Sequence, residues 1–150
     1  MDFPLTKSLE SKASALLRRK NLNITESRKK ILCLFLNHKD ALAHADIERK
    51  AGEKFDRVTV YRTLQIFVEK GIVHTIPTAD NAILYALCKD CDEEHHHDDH
   101  VHFVCRNCNT TICLDDVVSP DINLPRGYEA EDVQVVINGI CKSCNEVKRL

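Results

Sequence analysis

The sequence lacks the features that direct a chain into or across a membrane. Its 150 residues contain no apolar run near the roughly 18 residues that a membrane span requires. The opening segment, MDFPLTKSLESK, has no basic stretch followed by an apolar core. We therefore expect a cytoplasmic protein.

The net charge of the whole chain is also close to zero, at −2, but the charges are unevenly distributed. Through residue 87 there are 15 Lys and Arg against 10 Asp and Glu, whereas residues 88–150 carry 6 against 13. A basic half beside an acidic half rich in Cys and His indicates two domains with different partners, 1–87 and 88–150. The basic domain is suited to phosphates.

Cysteine, by contrast, is abundant. Four of the eight cysteines form two C-x2-C pairs, and these are Cys105, Cys108, Cys141 and Cys144. Because thiols stay reduced in the cytosol, metal binding is favoured over disulfides, which a secreted location would restore as the alternative. Four thiolates in two pairs are typical of a closed, structural zinc site.

Apolar periodicity predicts four helices, at residues 8–20, 25–36, 45–51 and 56–70. Two β-rich runs follow, 72–76 and 83–87, separated by the turn-forming PTADNA. Helices followed by a hairpin are the order of a winged helix-turn-helix. Short strand candidates follow residue 101, so the expected fold class is α+β.

The fourth predicted helix has two distinct faces. Val60, Leu64, Phe67 and Val68 form an apolar stripe. Polar side chains that can contact base edges or phosphates in a major groove occupy the opposite face, namely Arg57, Thr59, Tyr61, Arg62 and Gln65. The alternative interpretation is the solvated face of an amphipathic helix.

Three segments together resemble the ferric uptake regulator superfamily. DRVTVYRTLQIFVEKGIV resembles its recognition helix and the start of its wing, LNITESRKKIL the opening of its second helix, and HHHDDHVHFVCRNC its histidine-rich strand and first zinc knuckle. The resemblance spans residues 20–145. It implies a dimeric, metal-dependent repressor of operator DNA rather than an enzyme. It also implies a small carboxyl-terminal α/β dimerisation domain with structural zinc, and a DNA contact at Arg28.

The chain departs from the family pattern at several positions. Ser27 replaces a usual Gln, Ala41 a usual metal-binding His, and Ala86 and Cys113 replace usual acids. Histidine is also absent after His102, where some members have a further site. Loss of acids and gain of thiols favours Zn²⁺ over Fe²⁺.

A second, regulatory metal site is predicted near the domain junction. His100 and His102 match the family's sensing pair, and their i, i+2 spacing places both on one face of a strand. His74 and Cys88 resemble ligands of the zinc uptake regulator branch. Possible substitutes are Cys113, Cys91, His97 and His44.

Three alternatives stay open. The regulatory metal could be Fe²⁺ or Mn²⁺, including in a peroxide sensor of the same family. A thiol redox enzyme using Cys88 and Cys91 would need a βαβ context that the sequence lacks. A zinc hydrolase would need an open metal position with a nearby general base.

Overall fold

The computed structural model describes residues 6–38, 40–88, 101–114, 116–131 and 133–149. The chain divides into two compact units, Met1–Cys91 and Asp92–Leu150. The predicted domain boundary after residue 87 stays a prediction. None of the helices in the described part of the chain combines the length and apolar content of a membrane span.

The amino-terminal unit contains four helices and a small sheet, in the predicted order. Its elements are α1 (Lys7–Arg19), α2 (Glu26–Asn37), β1 (Leu42–Ala43), α3 (His44–Ala51), α4 (Arg57–Glu69), β2 (Val73–Pro77) and β3 (Ile83–Leu87). The two-residue strand β1 was not predicted, because it is too short to show a periodic pattern. The α+β fold class is confirmed.

Side-chain caps determine where the long helices begin. Thr25 accepts a hydrogen bond from the amide of Arg28 at 3.3 Å, and Asp56 accepts one from the amide of Thr59 at 2.7 Å. Each cap satisfies an amide that has no partner within the first turn of the helix. The hydrogen bonds from Thr59 also lower the pKa of the Asp56 carboxyl, which keeps it negative at the positive end of α4.

The helices enclose one apolar core. Leu17, Ile31, Phe35, Leu64 and Phe67 are among its fully or almost fully buried members.

One predicted core residue, Val68, lies elsewhere. Its side chain is 39% exposed, because the buried stripe of α4 is completed by Thr63 rather than by Val68. The prediction that Val68 faces inward was therefore wrong.

The wing is an antiparallel sheet of order β1-β3-β2. Its register pairs Val73 with Leu87 at one end and Pro77 with Ile83 at the other. Gly71 joins α4 to the sheet with a φ of 65°, a conformation that glycine adopts without a steric penalty.

The carboxyl-terminal unit contains a second three-stranded sheet and a short helix. Its elements are β4 (Val101–Cys105), β5 (Thr111–Leu114), β6 (Val135–Gly139) and α5 (Lys142–Lys148). Strand β4 is central, antiparallel to β5 and parallel to β6. A Cβ on Gly139 would lie 3.0 Å from the ring of Phe103, so glycine allows β6 to pack closely here.

Truncating Leu64 to Ala should destabilise the amino-terminal unit by about 2 to 5 kcal/mol, because Leu64 is fully buried and surrounding side chains close such a cavity only in part. The matched control is Val68→Ala on the same helix, which should cost much less. Chemical denaturation followed by circular dichroism measures both. Equal losses of unfolding free energy would contradict the assignment of Val68 to the surface.

Candidate functional site

The two C-x2-C pairs are brought together by the sheet of the carboxyl-terminal unit. Cys105 is the last residue of β4 and lies opposite Gly139 at the end of β6. Because β4 and β6 are parallel, the chain leaves both strands at the same edge of the sheet. Cys108 lies in the turn after β4, while Cys141 and Cys144 begin α5.

The four sulfur atoms have the spacing of a tetrahedral metal site. All lie within 4.8 Å of one another, and the Sγ atoms of Cys108 and Cys141 are 3.7 Å apart. Sulfurs at about 2.3 Å from a central Zn²⁺ would be about 3.8 Å apart. The four side chains therefore fit structural zinc and would hold it in a closed shell.

The surroundings of the cluster favour the thiolate at Cys105 and the protonated thiol at Cys141. The amide of Cys141 donates to Sγ of Cys105 at 3.3 Å, and Nδ2 of Asn107 donates to Sγ of Cys144 at 3.2 Å. Backbone N–H groups of Cys141 and Cys108 lower the pKa of Cys105 to about 6. The amide of Cys144 lowers the pKa of Cys141, but the thiol of Cys144, desolvation and the thiols of Cys105 and Cys108 outweigh it and raise that pKa to about 11. Neighbouring thiolates repel one another, and a bound divalent cation would stabilise all four in the deprotonated form.

Two further candidate ligands lie together in the amino-terminal unit. Nδ1 of His74, on β2, lies 3.4 Å from Sγ of Cys88, which follows β3. The amide of Cys88 donates to the carbonyl of Ile72 at 2.9 Å and holds the thiol beside the strand. The spacing suits a hydrogen bond, and it is also close to the about 3.6 Å between nitrogen and sulfur ligands of tetrahedral zinc.

A second histidine and cysteine pair lies in the carboxyl-terminal unit. His102 on β4 is directly opposite Cys113 on β5. Opposite residues of antiparallel strands point to the same face, and here the ligand atoms lie within 4.8 Å of each other. Cys113, predicted as a substitute ligand, thus lies beside a residue of the predicted main set.

The remaining candidate ligands are not part of these pairs. His100, Cys91 and His97 lie outside the described residues. His44 is the first residue of α3, where its Nδ1 is 3.6 Å from a carboxylate oxygen of Glu48 and its ring centroid is 6.4 Å from that of Tyr61. The assignment of the regulatory ligands stays a prediction.

The predicted polar face of α4 is accessible. Arg57, Tyr61, Arg62 and Gln65 are exposed, and Thr59 is half-buried. Nε2 of Gln65 donates to the hydroxyl of Tyr61 at 3.0 Å, so Gln65 orients that hydroxyl within the helix. The Tyr61 hydroxyl keeps its own proton for donation to an acceptor in a partner.

Arg28 has a local structural role. Its Nη1 donates to the carbonyl of Asn23 at 2.9 Å, which fixes the loop before α2. The predicted DNA contact of Arg28 stays a prediction, and its guanidinium has further donors to offer.

Sequence reasoning missed two groups of residues beside these sites. Asn107 lies in the turn between Cys105 and Cys108 and contacts Cys144. The C-x2-C spacing does not reveal which side chain of such a turn reaches a sulfur atom. Val58 and Ile83 are 53% and 52% exposed, next to the polar face of α4. The sequence did contain a signal for Val58, because it is an apolar residue outside the apolar stripe of its helix.

Comparison with known proteins identifies the family. The profile of the Ferric uptake regulator family matches residues 19–138, and the chain belongs to this family. It is therefore a metal-responsive transcription regulator and not an enzyme.

Similar proteins of known function are named for the uptake of different metals. The chain is 33% identical over 100 residues to a zinc uptake regulation protein of Mycobacterium tuberculosis, covering 64% of this chain and 72% of that protein. It is 27% identical over 137 residues to a ferric uptake regulation protein of Bacillus subtilis, covering 86% and 89%.

Among solved structures, a zinc uptake regulator complexed with zinc and DNA has a similar fold. The TM-score is 0.70 at 22% identity, covering 99% of this chain and all of that one. This likeness confirms the predicted fold.

Replacing Cys105 with Ser should remove the tightly bound zinc, because three thiolates then lack a closed shell around the metal. Unfolding should begin at a clearly lower temperature, since zinc binding in small domains contributes on the order of 10 kcal/mol to folding. Metal content per chain and thermal melting measure the two effects. The matched control is Cys88→Ser, which should keep this zinc, and a zinc-replete Cys105→Ser protein with an unchanged melting temperature would disprove the assignment.

Proposed function

We propose that this protein is a zinc-responsive repressor that binds operator DNA as a homodimer in the cytoplasm. The observation that carries the choice of zinc is the thiol in each histidine and cysteine pair, Cys88 beside His74 and Cys113 beside His102. Thiolate ligands favour Zn²⁺, whereas the hard carboxylates that iron and manganese sites prefer are replaced here by Ala86 and Cys113.

The comparisons support the same choice. The relative that is 33% identical is named for zinc uptake, and the structural neighbour with a TM-score of 0.70 was solved with zinc and DNA. The alternative corepressor is iron, for which the Bacillus subtilis relative is named. A peroxide-sensing iron site is a variant of that alternative. Measuring the affinity for DNA in the presence of each metal distinguishes these possibilities.

The regulatory metal is proposed to take ligands from both units. Each pair supplies one nitrogen and one sulfur, so either pair alone fills two of the four positions that zinc prefers. The predicted main set fills the four positions with His74, Cys88, His102 and His100, and Cys113 is the substitute for one of them. A site with ligands from both units would bind metal better in the DNA-binding state, and that difference in affinity would bias the protein towards that state.

The expected size of this coupling is modest. Allosteric coupling free energies are typically about 1 to 3 kcal/mol, or about 5-fold to 150-fold in affinity. The protein would therefore bind DNA weakly without the regulatory metal and tightly with it, while the zinc of the four-cysteine cluster stays in place.

Base readout is assigned to α4, whose first turns carry Arg57, Tyr61 and Arg62 on an accessible face. A helix of this kind enters the major groove with its amino-terminal residues against base edges. The excess of basic residues through residue 87 supplies phosphate contacts.

Dimerisation is assigned to the carboxyl-terminal unit. The segment 116–131 exposes a row of apolar side chains, namely Val117, Val118, Ile122, Leu124 and Tyr128. A monomeric surface rarely exposes so many apolar side chains in one segment, and a second copy related by two-fold symmetry would cover them. A zinc-loaded chain that sediments as a monomer would contradict this assignment.

Replacing Arg62 with Ala should weaken specific DNA binding by roughly 5-fold to 150-fold, since one bidentate base contact contributes about 1 to 3 kcal/mol. The fold should be intact because Arg62 is exposed. Fluorescence anisotropy with a selected operator measures the dissociation constant. The matched control is Arg49→Ala, which removes an exposed arginine of α3 paired with Asp46 at 2.8 Å and should have a smaller effect. Equal affinity of Arg62→Ala and the unaltered protein would exclude α4 as the reader.

Replacing Cys88 with Ser should shift zinc-activated DNA binding to higher free zinc, because one thiolate is lost from the regulatory site. DNA affinity is measured against buffered free Zn²⁺, Fe²⁺ and Mn²⁺, and the unaltered protein should respond to zinc at the lowest free concentration. Cobalt at this site should show a thiolate charge-transfer band that the variant lacks. Activation by Fe²⁺ under conditions where Zn²⁺ fails would instead support the iron-sensing alternative.

A further inference from the structure

A hollow of about 480 Å³ lies between the first turns of α4 and the wing. Its lining includes Val58 and Tyr61 from α4 and Ile83 and Tyr85 from β3. All four belong to the amino-terminal unit, so the hollow forms within one compact body.

The apolar side chains at the mouth of this hollow are exposed to a degree that packing within the unit does not explain. Val58, Tyr61 and Ile83 are 53%, 50% and 52% exposed, whereas Val60 and Leu64 on the other face of α4 are fully buried. A partner that covers these side chains would remove apolar surface from water.

The charges beside the hollow indicate what that partner is. Arg57 directly precedes Val58 and Arg62 lies one turn further along α4, and both are exposed. Val58 is the second residue of its helix, at the end that recognition helices present to base edges. Apolar side chains flanked by two cations on this face fit the major groove of duplex DNA.

The chemistry of Val58 and Ile83 selects among the four bases. Their side chains neither donate nor accept hydrogen bonds. In the major groove, guanine presents two acceptors, cytosine an amino donor and adenine an acceptor with a donor, whereas thymine presents a methyl group beside its acceptor. An aliphatic surface would leave the polar groups of the first three without partners.

We propose that Val58, with Ile83 on the wing, contacts the 5-methyl group of a thymine in the operator and thereby determines specificity at that position. The inference rests on the proposed function, since it requires that α4 reads operator DNA. It adds a preference for thymine that arises from apolar contact and needs no hydrogen bond.

The test removes the methyl group alone. The metal-loaded protein first selects an operator from random duplexes, and each thymine is then replaced in turn by deoxyuridine, which differs by one methyl group. At one position in each half-site the replacement should weaken binding about fourfold, the factor that corresponds to one buried methyl group. In Val58→Ala the same replacement should have almost no further effect.

Two controls keep the outcome specific. Val68→Ala removes the same two methyl groups from an exposed valine of the same helix, and it should retain the full effect of deoxyuridine. Ile83→Ala should reduce the effect in part, and the zinc content of every variant confirms an intact carboxyl-terminal unit.

The results separate the two levels of the argument. If the protein selects an operator but no deoxyuridine effect depends on Val58, this inference is wrong and the proposed function stands. Weaker binding by Val58→Ala without any deoxyuridine effect would indicate contact with a sugar or with another protein, and it also overturns the inference. Failure to select any metal-dependent sequence would overturn the proposed function together with it.

Discussion

The attraction between four thiolates and a divalent cation is the interaction on which the carboxyl-terminal unit depends, because its apolar core is very small. Within residues 101–114, 116–131 and 133–149, the buried side chains are those of Val101, His102, Cys105 and Thr111. Units of this size commonly need a metal or disulfides to fold. Cys105, one of the four buried residues, also belongs to the four-cysteine cluster, so the cluster and the core are continuous.

The amino-terminal unit is stabilised in the opposite way. Its helices bury a continuous set of large apolar side chains, including Leu17, Phe35 and Phe67, and every long helix begins at a side-chain cap. This core is held by apolar packing, and α4 is anchored in it by Val60, Leu64 and Phe67. The zinc of the four-cysteine cluster therefore has no part in the packing that holds the DNA-reading surface of α4.

The sequence predicted the features that depend on local spacing. The order of the four helices, the hairpin after the last of them and the two cysteine pairs were all visible in short segments, and the structure places them as expected. Val68 was misassigned because a helical stripe predicts direction but not where the core ends. Strand β1 and helix α5 were missed since two and seven residues are too few to show a period.

Contacts between distant segments could not be predicted in the same way. The pairing of His102 with Cys113 depends on the register of β4 against β5, and a shift of one residue would turn the two side chains to opposite faces. Likewise, the contact of His74 with Cys88 depends on the register of β2 against β3, which places Cys88 beside Ile72. The family resemblance indicated which residue types to examine, but register determines which of them can share a metal.

The composition of the two pairs also constrains how regulation can work. Each contains one imidazole and one cysteine sulfur, a mixture that suits zinc, and each is incomplete as a tetrahedral shell. In the proposed mechanism an incomplete pair binds metal weakly, so that affinity becomes high only when the other pair contributes. Coupling between two sites is reciprocal. In this proposal, bound DNA therefore raises the affinity for the regulatory metal by the same factor by which the metal raises the affinity for DNA. The four-cysteine cluster is closed within one unit, so it remains outside this exchange and can keep its zinc in both states.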